Sequence, residues 1–297
     1  MFHRLRDKVN RARYDRKCRG ILETPPLAIM PAPLIFCSMV SQRDLIMYLV
    51  AIKSLYRNIG EGTIYIVNDG SLTATGLDLL NHHLGSPTIE HIKNIPTDPC
   101  PRGGTWERLL RLVTLAEQAY VMQVDSDLLA RQPVPEVVQC YRENWSFTLG
   151  TGMGQSFTTL KDAASTAKVA GGTHIQIVAE QAFDRLDGAA EKRYVRGCSG
   201  FTGFAHGLSL RPHAEEFSMS MQRRLGDRWQ EWGTEQVTSN YLIANSARSC
   251  VLPATKYVNF SPQICIKDAA LLHFIGTHRF YHGIYATLGA QVVAEVG

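Results

Sequence analysis

The 297-residue sequence has no CxxC pair, no internal repeat, no low-complexity tract and no long apolar run free of proline. Its seven cysteines, at 18, 37, 100, 140, 198, 250 and 265, are odd in number and widely scattered. That spacing argues against both a zinc site and a disulfide framework, and reduced thiols in the cytoplasm are the expectation. The best uncharged stretch, Pro25 to Gln42, is broken by Pro25, Pro26, Pro31 and Pro33. A spanning helix needs ~20 apolar residues without such breaks. A signal peptide is disfavoured for the same reason, and because the basic segment before it is too long. Net charge is only +4, from 31 basic and 27 acidic residues, too little to imply nucleic acid as a partner. A composition that is 45% hydrophobic and 20% charged excludes disordered and collagen-like chains. What remains is a globular protein whose core needs no covalent staple.

The charge that is present is local. Residues 1–20 hold eight basic residues (Arg4, Arg6, Lys8, Arg11, Arg13, Arg16, Lys17 and Arg19) against Asp7 and Asp15. The body, residues 21–297, is therefore slightly acidic. Phe2, Leu5 and Val9 fall roughly on one helical face. The basic arm is expected either as a solvated, partly frayed terminus or as a helix lying on an anionic membrane surface.

Along the body, Leu34 to Val40 reads as a buried strand. Asp44 to Asn58 has apolar residues at 45, 46, 49, 52 and 55, which is helical spacing, with Gly60 as a stop. Thr63 to Val67 is a second strand and ends in Asn68-Asp69-Gly70-Ser71. Leu72 to Leu84 reads as helix and Thr88 to Ile92 as strand. Thr105 to Ala119 is an amphipathic helix with Thr105 as its cap and Glu107–Arg111 as an i,i+4 pair. Tyr120 to Val124 is a strand with Asp125-Ser126-Asp127 at its carboxyl end. Strands alternating with helices predict an α/β fold, a mostly parallel sheet with helices on both faces, in a single domain. Residues 150–195, with weak helical signals and several glycines, read as an insertion or lid. In such sheets ligands bind beyond the carboxyl ends of the strands, where the acidic turns at 68–69 and 125–127 both fall.

Four constellations carry chemistry. Asp125 and Asp127, one residue apart after an apolar strand, can both reach one hard cation, and Mg²⁺ and Mn²⁺ take carboxylate oxygens while keeping positions open for phosphate. His273, after the apolar Ala269–Leu272, can complete such a site with a neutral imidazole. Three and six residues on, Gly276 permits backbone approach to a phosphate and Arg279 offers a forked guanidinium. Glu235 and Gln236 open a helix that Thr234 can cap. Gly197-Cys198-Ser199-Gly200-Phe201 is a run of small residues that permits close approach of a ligand.

In this chain order the four resemble GT-A-fold nucleotide-sugar glycosyltransferases, most closely glycosyltransferase family 8, the glycogenin and lipopolysaccharide galactosyltransferase group. Ala51-Ile52-Lys53-Ser54-Leu55 is similar to the family's helix after the first strand. Asp125-Ser126-Asp127 is similar to its metal-binding DxD. Glu235-Gln236 with Asn240 resembles its Asp-Gln-x-x-x-Asn, with Glu for Asp. His273 to Arg279 resembles its His-x-x-Gly-x-x-Lys, with Arg for Lys.

The resemblance implies a Rossmann-like GT-A domain and a hexosyltransferase. That enzyme would move a sugar from a nucleoside-diphosphate donor, a UDP-sugar, to a saccharide or glycolipid acceptor, with retention of configuration. It implies Mn²⁺ or Mg²⁺ on Asp125, Asp127 and His273. Ser126, Gly276, Arg279 and Arg108 would lie on the donor, and Asn68 and Asp69 near its base or ribose, with Ser38, Val40 and Gln42 lining the base. Gln236 and Glu235 would orient the sugar and stabilise the positive anomeric centre. Trp229, Trp232, Phe201, Phe204, Phe280 and Tyr281 are candidates for stacking on sugar faces. The stretch IVNDGS is also similar to the DDGS turn of inverting family-2 enzymes, in which a carboxylate acts as general base. A sugar-nucleotide nucleotidyltransferase would want a glycine-rich loop after the first strand, where Ser38 to Asp44 has no glycine. A non-catalytic nucleotide-sugar-binding protein is the fourth reading.

Overall fold

The structure, a computed structural model, describes residues 2–297, without the side chains of residues 2–7 and 277. From the N-terminus run α1 (Phe2–Cys18), β1 (Leu34–Val40), α2 (Leu45–Ile59), β2 (Thr63–Asn68), α3 (Ala74–His83) and β3 (Thr88–His91). Then come α4 (Trp106–Leu115), β4 (Tyr120–Val124), β5 (Leu128–Ala130), α5 (Pro135–Arg142) and β6 (Ser146–Leu149). Residues 150–195 contain β7 (Thr158–Thr159), α6 (Leu160–Ala170), α7 (Ile175–Gln181) and β8 (Arg193–Tyr194). The chain closes with β9 (Cys198–Phe204), α8 (Arg211–Leu225), α9 (Thr234–Ala244), β10 (Ser249–Leu252), β11 (Tyr257–Asn259), β12 (Leu271–His273) and α10 (Ile284–Val296). The main sheet has seven strands in the order β10-β6-β9-β4-β1-β2-β3, beside a three-stranded sheet β11-β12-β5 and the pair β7-β8. The α/β class expected from the alternation of strands and helices is the one observed.

The chain divides into two compact units. One takes the chain up to His91, Gln123–Val138 and Thr255–Gly297, and the other takes Ile92–Met122 and Gln139–Ala254. In the first unit, β1 pairs in parallel with β2 from Ile35↔Thr63 to Val40↔Asn68, and β2 with β3 from Tyr65↔Thr88 to Asn68↔His91. Val40, Asn68 and His91 therefore end their strands at one level. Parallel strands buried on both faces read as continuous apolar runs, which is why LIFCSMV was legible as a strand. Helix α2 buries eleven of its residues, including Lys53, and ends on Gly60 at φ 85°, a left-handed cap that suits glycine.

The basic N-terminal stretch forms a helix. Helix α1 packs on α10 and α2, with Tyr14 and Cys18 fully buried. Gly289 in α10 lets the helices approach closely, since a Cβ there would lie 2.8 Å from the Cys18 sulfur. Arg11 pairs with Asp44 at 2.7 Å. Val9 is exposed, whereas the Phe2 and Leu5 side chains of the expected membrane-facing stripe lie outside the described residues. No described helix is long and apolar enough to cross a membrane. All seven cysteines are free thiols.

In the second unit, β6 pairs antiparallel with β9 and parallel with β10. Two caps expected at its helix starts are not formed. Thr105, at the N-cap of α4, has a left-handed backbone and makes no capping bond. Thr234 is already the first residue of α9, whose N-cap is Gly233 at φ 108°. Both threonines are used in tertiary hydrogen bonds instead.

Lys53 is a buried cation that hydrogen bonds hold in place. Its Nζ donates to Thr24 Oγ1 (2.7 Å), the Pro25 carbonyl (2.7 Å) and His83 Nδ1 (3.0 Å). Burial pushes its pKa down to about 8. Burial, and then the charge of Lys53, push His83 down to about 4. Between that value and the ordinary histidine range near ~6.5, the unfolded chain binds a proton that the folded chain does not. Stability should therefore fall as pH drops through this window, by up to about 3 kcal/mol. Chemical denaturation of wild type and His83→Gln between pH 7 and 4 measures this. The variant should show the shallower slope, and an equal slope would assign the effect to other groups.

Candidate metal and donor site

The first cluster lies wholly in the first unit, and two short ladders build it. Strand β12 pairs antiparallel with β5, in the register Leu271↔Ala130, Leu272↔Leu129 and His273↔Leu128. The Phe274 N–H continues the ladder to the Asp127 carbonyl at 3.0 Å. This register brings His273, 146 positions away in sequence, against the loop of Asp125, Ser126 and Asp127. On its other side β12 pairs in parallel with β11, which sets Asn259 opposite His273.

Asn259 was not singled out from the sequence. Its Oδ1 lies 2.9 Å from His273 Nδ1. A partner on Nδ1 fixes the ring and turns Nε2 towards the carboxylates, the usual arrangement around a ligating histidine. Nε2 is 3.2 Å from Asp127 Oδ1 and 3.9 Å from Asp125 Oδ2. One ligand atom from each of the three residues lies within 4.8 Å of the other two. Two carboxylate oxygens and one imidazole nitrogen make a donor set that fits Mn²⁺ or Mg²⁺.

Asp127 is 5% exposed and Asp125 is half-buried. Burial alone would raise the Asp127 carboxyl. His273, by charge and hydrogen bond, and then Arg279 outweigh it, and the group lies below the usual carboxylate range. Arg279 Nη2 is 2.6 Å from Asp127 Oδ2, and its Nε donates to the Phe274 carbonyl at 3.1 Å. Gly276 sits between, exposed, at φ 56° with open space around it. The left-handed backbone, not crowding, calls for glycine there. The Ser126 side chain is half-buried, and its carbonyl accepts from Tyr285 Oη at 3.4 Å. Tyr285 stacks on Phe274 and packs on Tyr14, with centroids 4.2 Å apart in both cases. The N-terminal helix thus props the carboxylate loop through one tyrosine.

The turn after β2 is built from its own side chains. Asn68 Oδ1 accepts from the Gly70 N–H (2.8 Å) and Asp69 Oδ1 from the Ser71 N–H (2.9 Å). Gln42 is tied to it, its N–H donating to Ser71 Oγ and its Oε1 accepting from the Thr73 N–H, both at 2.9 Å. Ser38 and Val40, expected to line a base, are fully buried. The strand is covered on both faces, so both side chains lie in the core.

The second cluster lies wholly in the second unit. Ser199 on β9 faces the first turn of α9, with its N–H donating to Gln236 Oε1 at 3.1 Å. Its hydroxyl lies within reach of both Gln236 Oε1 (3.2 Å) and Glu235 Oε2 (3.4 Å). Glu235, 2% exposed, also accepts from Thr105 Oγ1 at 3.0 Å, and Arg108 stands 3.7 Å from its other oxygen. Thr105 holds φ 75°, a conformation costing a β-branched residue about 1–3 kcal/mol. Trp106 Nε1 donates to Thr234 Oγ1 at 2.9 Å, which fastens α4 to α9. Asn240 acts as a strut, donating to the Gly197 carbonyl at 2.9 Å. Any Cβ at Gly197 would strike Thr148 and Asn240. Of the aromatics considered for sugar stacking, Trp229, Phe201 and Phe204 are fully buried core. Trp232 is 70% exposed and Tyr281 40%.

Glu235→Ala should cost about 3–5 kcal/mol, because it removes one member of a buried charge pair with Arg108. Glu235→Gln keeps acceptors for Thr105 and Ser199 and should cost less. Urea denaturation of the two variants checks the order, and equal costs would mean that the hydrogen bonds to Thr105 and Ser199 contribute nothing beyond the lost charge pair.

No protein-family model matches the chain, and neither does any curated protein. Solved structures do match. The bifunctional glycosyltransferase WbbM, in its apo form, is 12% identical with a TM-score of 0.54, covering 89% of this chain and 50% of that one. The chain thus spans half the length of WbbM. An active-site mutant of LgtC is 14% identical with a TM-score of 0.52, covering 88% of this chain and 94% of that one. The galactosyltransferase LgtC in complex with donor and acceptor sugar analogs is 13% identical with a TM-score of 0.50, covering 88% and 95%. At such identity the likeness speaks for the fold, and the fold of this chain is that of the GT-A glycosyltransferases.

Proposed function

We propose that the chain is a metal-dependent glycosyltransferase that moves a sugar from a nucleoside-diphosphate donor, a UDP-sugar, to a hydroxyl of a saccharide or glycolipid, with retention. The observation that carries the reading is the oxygen, oxygen, nitrogen donor set of Asp125, Asp127 and His273 in this fold, with Arg279 and Gly276 beside it. In the reaction the bond between the anomeric carbon and the diphosphate oxygen breaks, leaving negative charge on the diphosphate. A new bond forms from the anomeric carbon to the acceptor oxygen, whose proton leaves. A bound Mn²⁺ or Mg²⁺ supplies charge neutralisation at the diphosphate.

The roles of this chain's own residues follow from their chemistry. Arg279 pairs with phosphate oxygens through its fork, and the Gly276 N–H and Ser126 lie within the same loop pair. Asn68 and Asp69 contribute polar groups for the base or ribose. Gln236 and Glu235 orient the sugar, with Arg108 holding the Glu235 carboxylate. A base that takes a proton from an acceptor must meet it, whereas Glu235 is nearly fully buried and paired with Arg108. That favours a positioning role for Glu235 over that of a general base.

The test is calorimetric titration of UDP into wild type and Asp125→Ala, with and without Mn²⁺. UDP should bind wild type at least about 10-fold more tightly with the metal, a factor worth ~1.4 kcal/mol. The variant should lose that gain while remaining folded. Metal-independent UDP binding would remove the Asp125–Asp127–His273 cluster from the reading, and absence of UDP binding in any condition would remove the UDP-sugar donor.

A peripheral membrane contact is a secondary reading, favoured by the exposed Lys8, Arg16 and Arg19 on or next to a docked helix. Charge reversal of these three should halve or abolish sedimentation with phosphatidylserine vesicles. Equal sedimentation of wild type and variant would eliminate the contact.

A further inference from the structure

The Arg279 guanidinium does not wait in solvent for a phosphate. Its Nη2 lies 2.6 Å from Oδ2 of Asp127, the most buried of the cluster's carboxylates, and its Nε is fastened to the Phe274 carbonyl. Its side chain is 28% exposed. The charge count of the cluster follows. Two carboxylates and one guanidinium leave a single negative charge when the imidazole is neutral, the form in which it ligates. A divalent cation entering alone turns this to a net positive charge, beside a guanidinium tied to the Phe274 carbonyl. A diphosphate entering alone meets two carboxylates.

We propose that Arg279 divides its charge between Asp127 and the diphosphate, so that cation and nucleotide each strengthen the binding of the other. Arg279 is then a positioning residue with two partners. With no diphosphate present it holds Asp127 and keeps the bare cation weakly bound. When a diphosphate arrives, the guanidinium gains a second anion and Asp127 can give its charge to the cation. Arginine suits this exchange where lysine does not. Its Nε stays on the Phe274 carbonyl while the two terminal nitrogens change partners, and lysine has one nitrogen for both tasks. The inference rests on the reading of the cluster as a metal and diphosphate centre.

The experiment is Mn²⁺ binding, read by electron paramagnetic resonance of the free ion, at pH 7.5 with and without UDP. It compares wild type with Arg279→Gln, and circular dichroism verifies the fold of each. Gln keeps a donor for the Phe274 carbonyl but brings no charge, and Arg279→Met serves if Gln fails to fold. The variant should bind Mn²⁺ alone about 10-fold or more tightly than wild type. The factor by which UDP strengthens Mn²⁺ binding should shrink by a similar amount, since coupling between two ligands is reciprocal and typically ~5–150-fold. An unchanged or weaker affinity for Mn²⁺ alone in the folded variant overturns the exchange. Tightening for Mn²⁺ alone with no effect of UDP on either protein upholds the hold of Arg279 on Asp127 and overturns the UDP-sugar reading. The two failures are thereby told apart.

Discussion

Three residue pairs of antiparallel sheet, between β12 and β5, carry the arrangement on which the candidate site depends. The ladder ends at the Phe274 N–H and the Asp127 carbonyl, so the imidazole and the carboxylate loop are fixed by backbone hydrogen bonds. A side chain held this way loses little further freedom on meeting a ligand, which is the condition for a precise site. The remaining parts lock the same ladder. Asn259 on β11 orients the ring, Tyr285 on α10 holds the Ser126 carbonyl, and Tyr14 on α1 packs behind Tyr285. A segment that reads as a solvated basic arm is thereby part of the support of an acidic loop.

Both polar clusters obey one rule, that buried charge must be compensated. In the first unit Asp127 is compensated by His273 and Arg279. In the second, Glu235 is compensated by Arg108 beside Oε1, with hydroxyls from Thr105 and Ser199 both reaching Oε2. Lys53 is the contrasting case. It has three oxygen and nitrogen acceptors but no carboxylate among them, and its pKa is correspondingly depressed. The two polar clusters differ from such a strut in what they leave facing outward. Asp125 is half-buried and Gly276 exposed at the first cluster, and Gln236 is half-buried at the second.

The strands and helices from β1 to β3 were legible because their patterns are local. Apolar runs, a helical period and stopping glycines each act within a few residues of themselves. The acidic triplet after β4 and the run from His273 to Arg279 were visible for the same reason. Local signals failed where a side chain had a better distant partner. Thr105 and Thr234 look like caps in sequence, but their hydroxyls go to Glu235 and to Trp106. Ser38 and Val40 look available at the end of a strand, but both side chains point into the core. The aromatics divided in the same way, with Phe201, Phe204 and Trp229 taken by the core and Trp232 left in solvent.

The sequence by itself determined the α/β alternation, the placing of carboxylates just after an apolar strand, and the residue types available for a hard cation and a phosphate. These follow from spacing along one chain. Tertiary structure alone decided that His273 meets Asp125 and Asp127, that Asn259 sets its ring, that Arg279 pairs with Asp127, and that Arg108 stands against Glu235. Each of these joins residues brought together by strand register or helix docking. The free energy that selects such a register is summed over the whole core, so no window of neighbouring residues contains it.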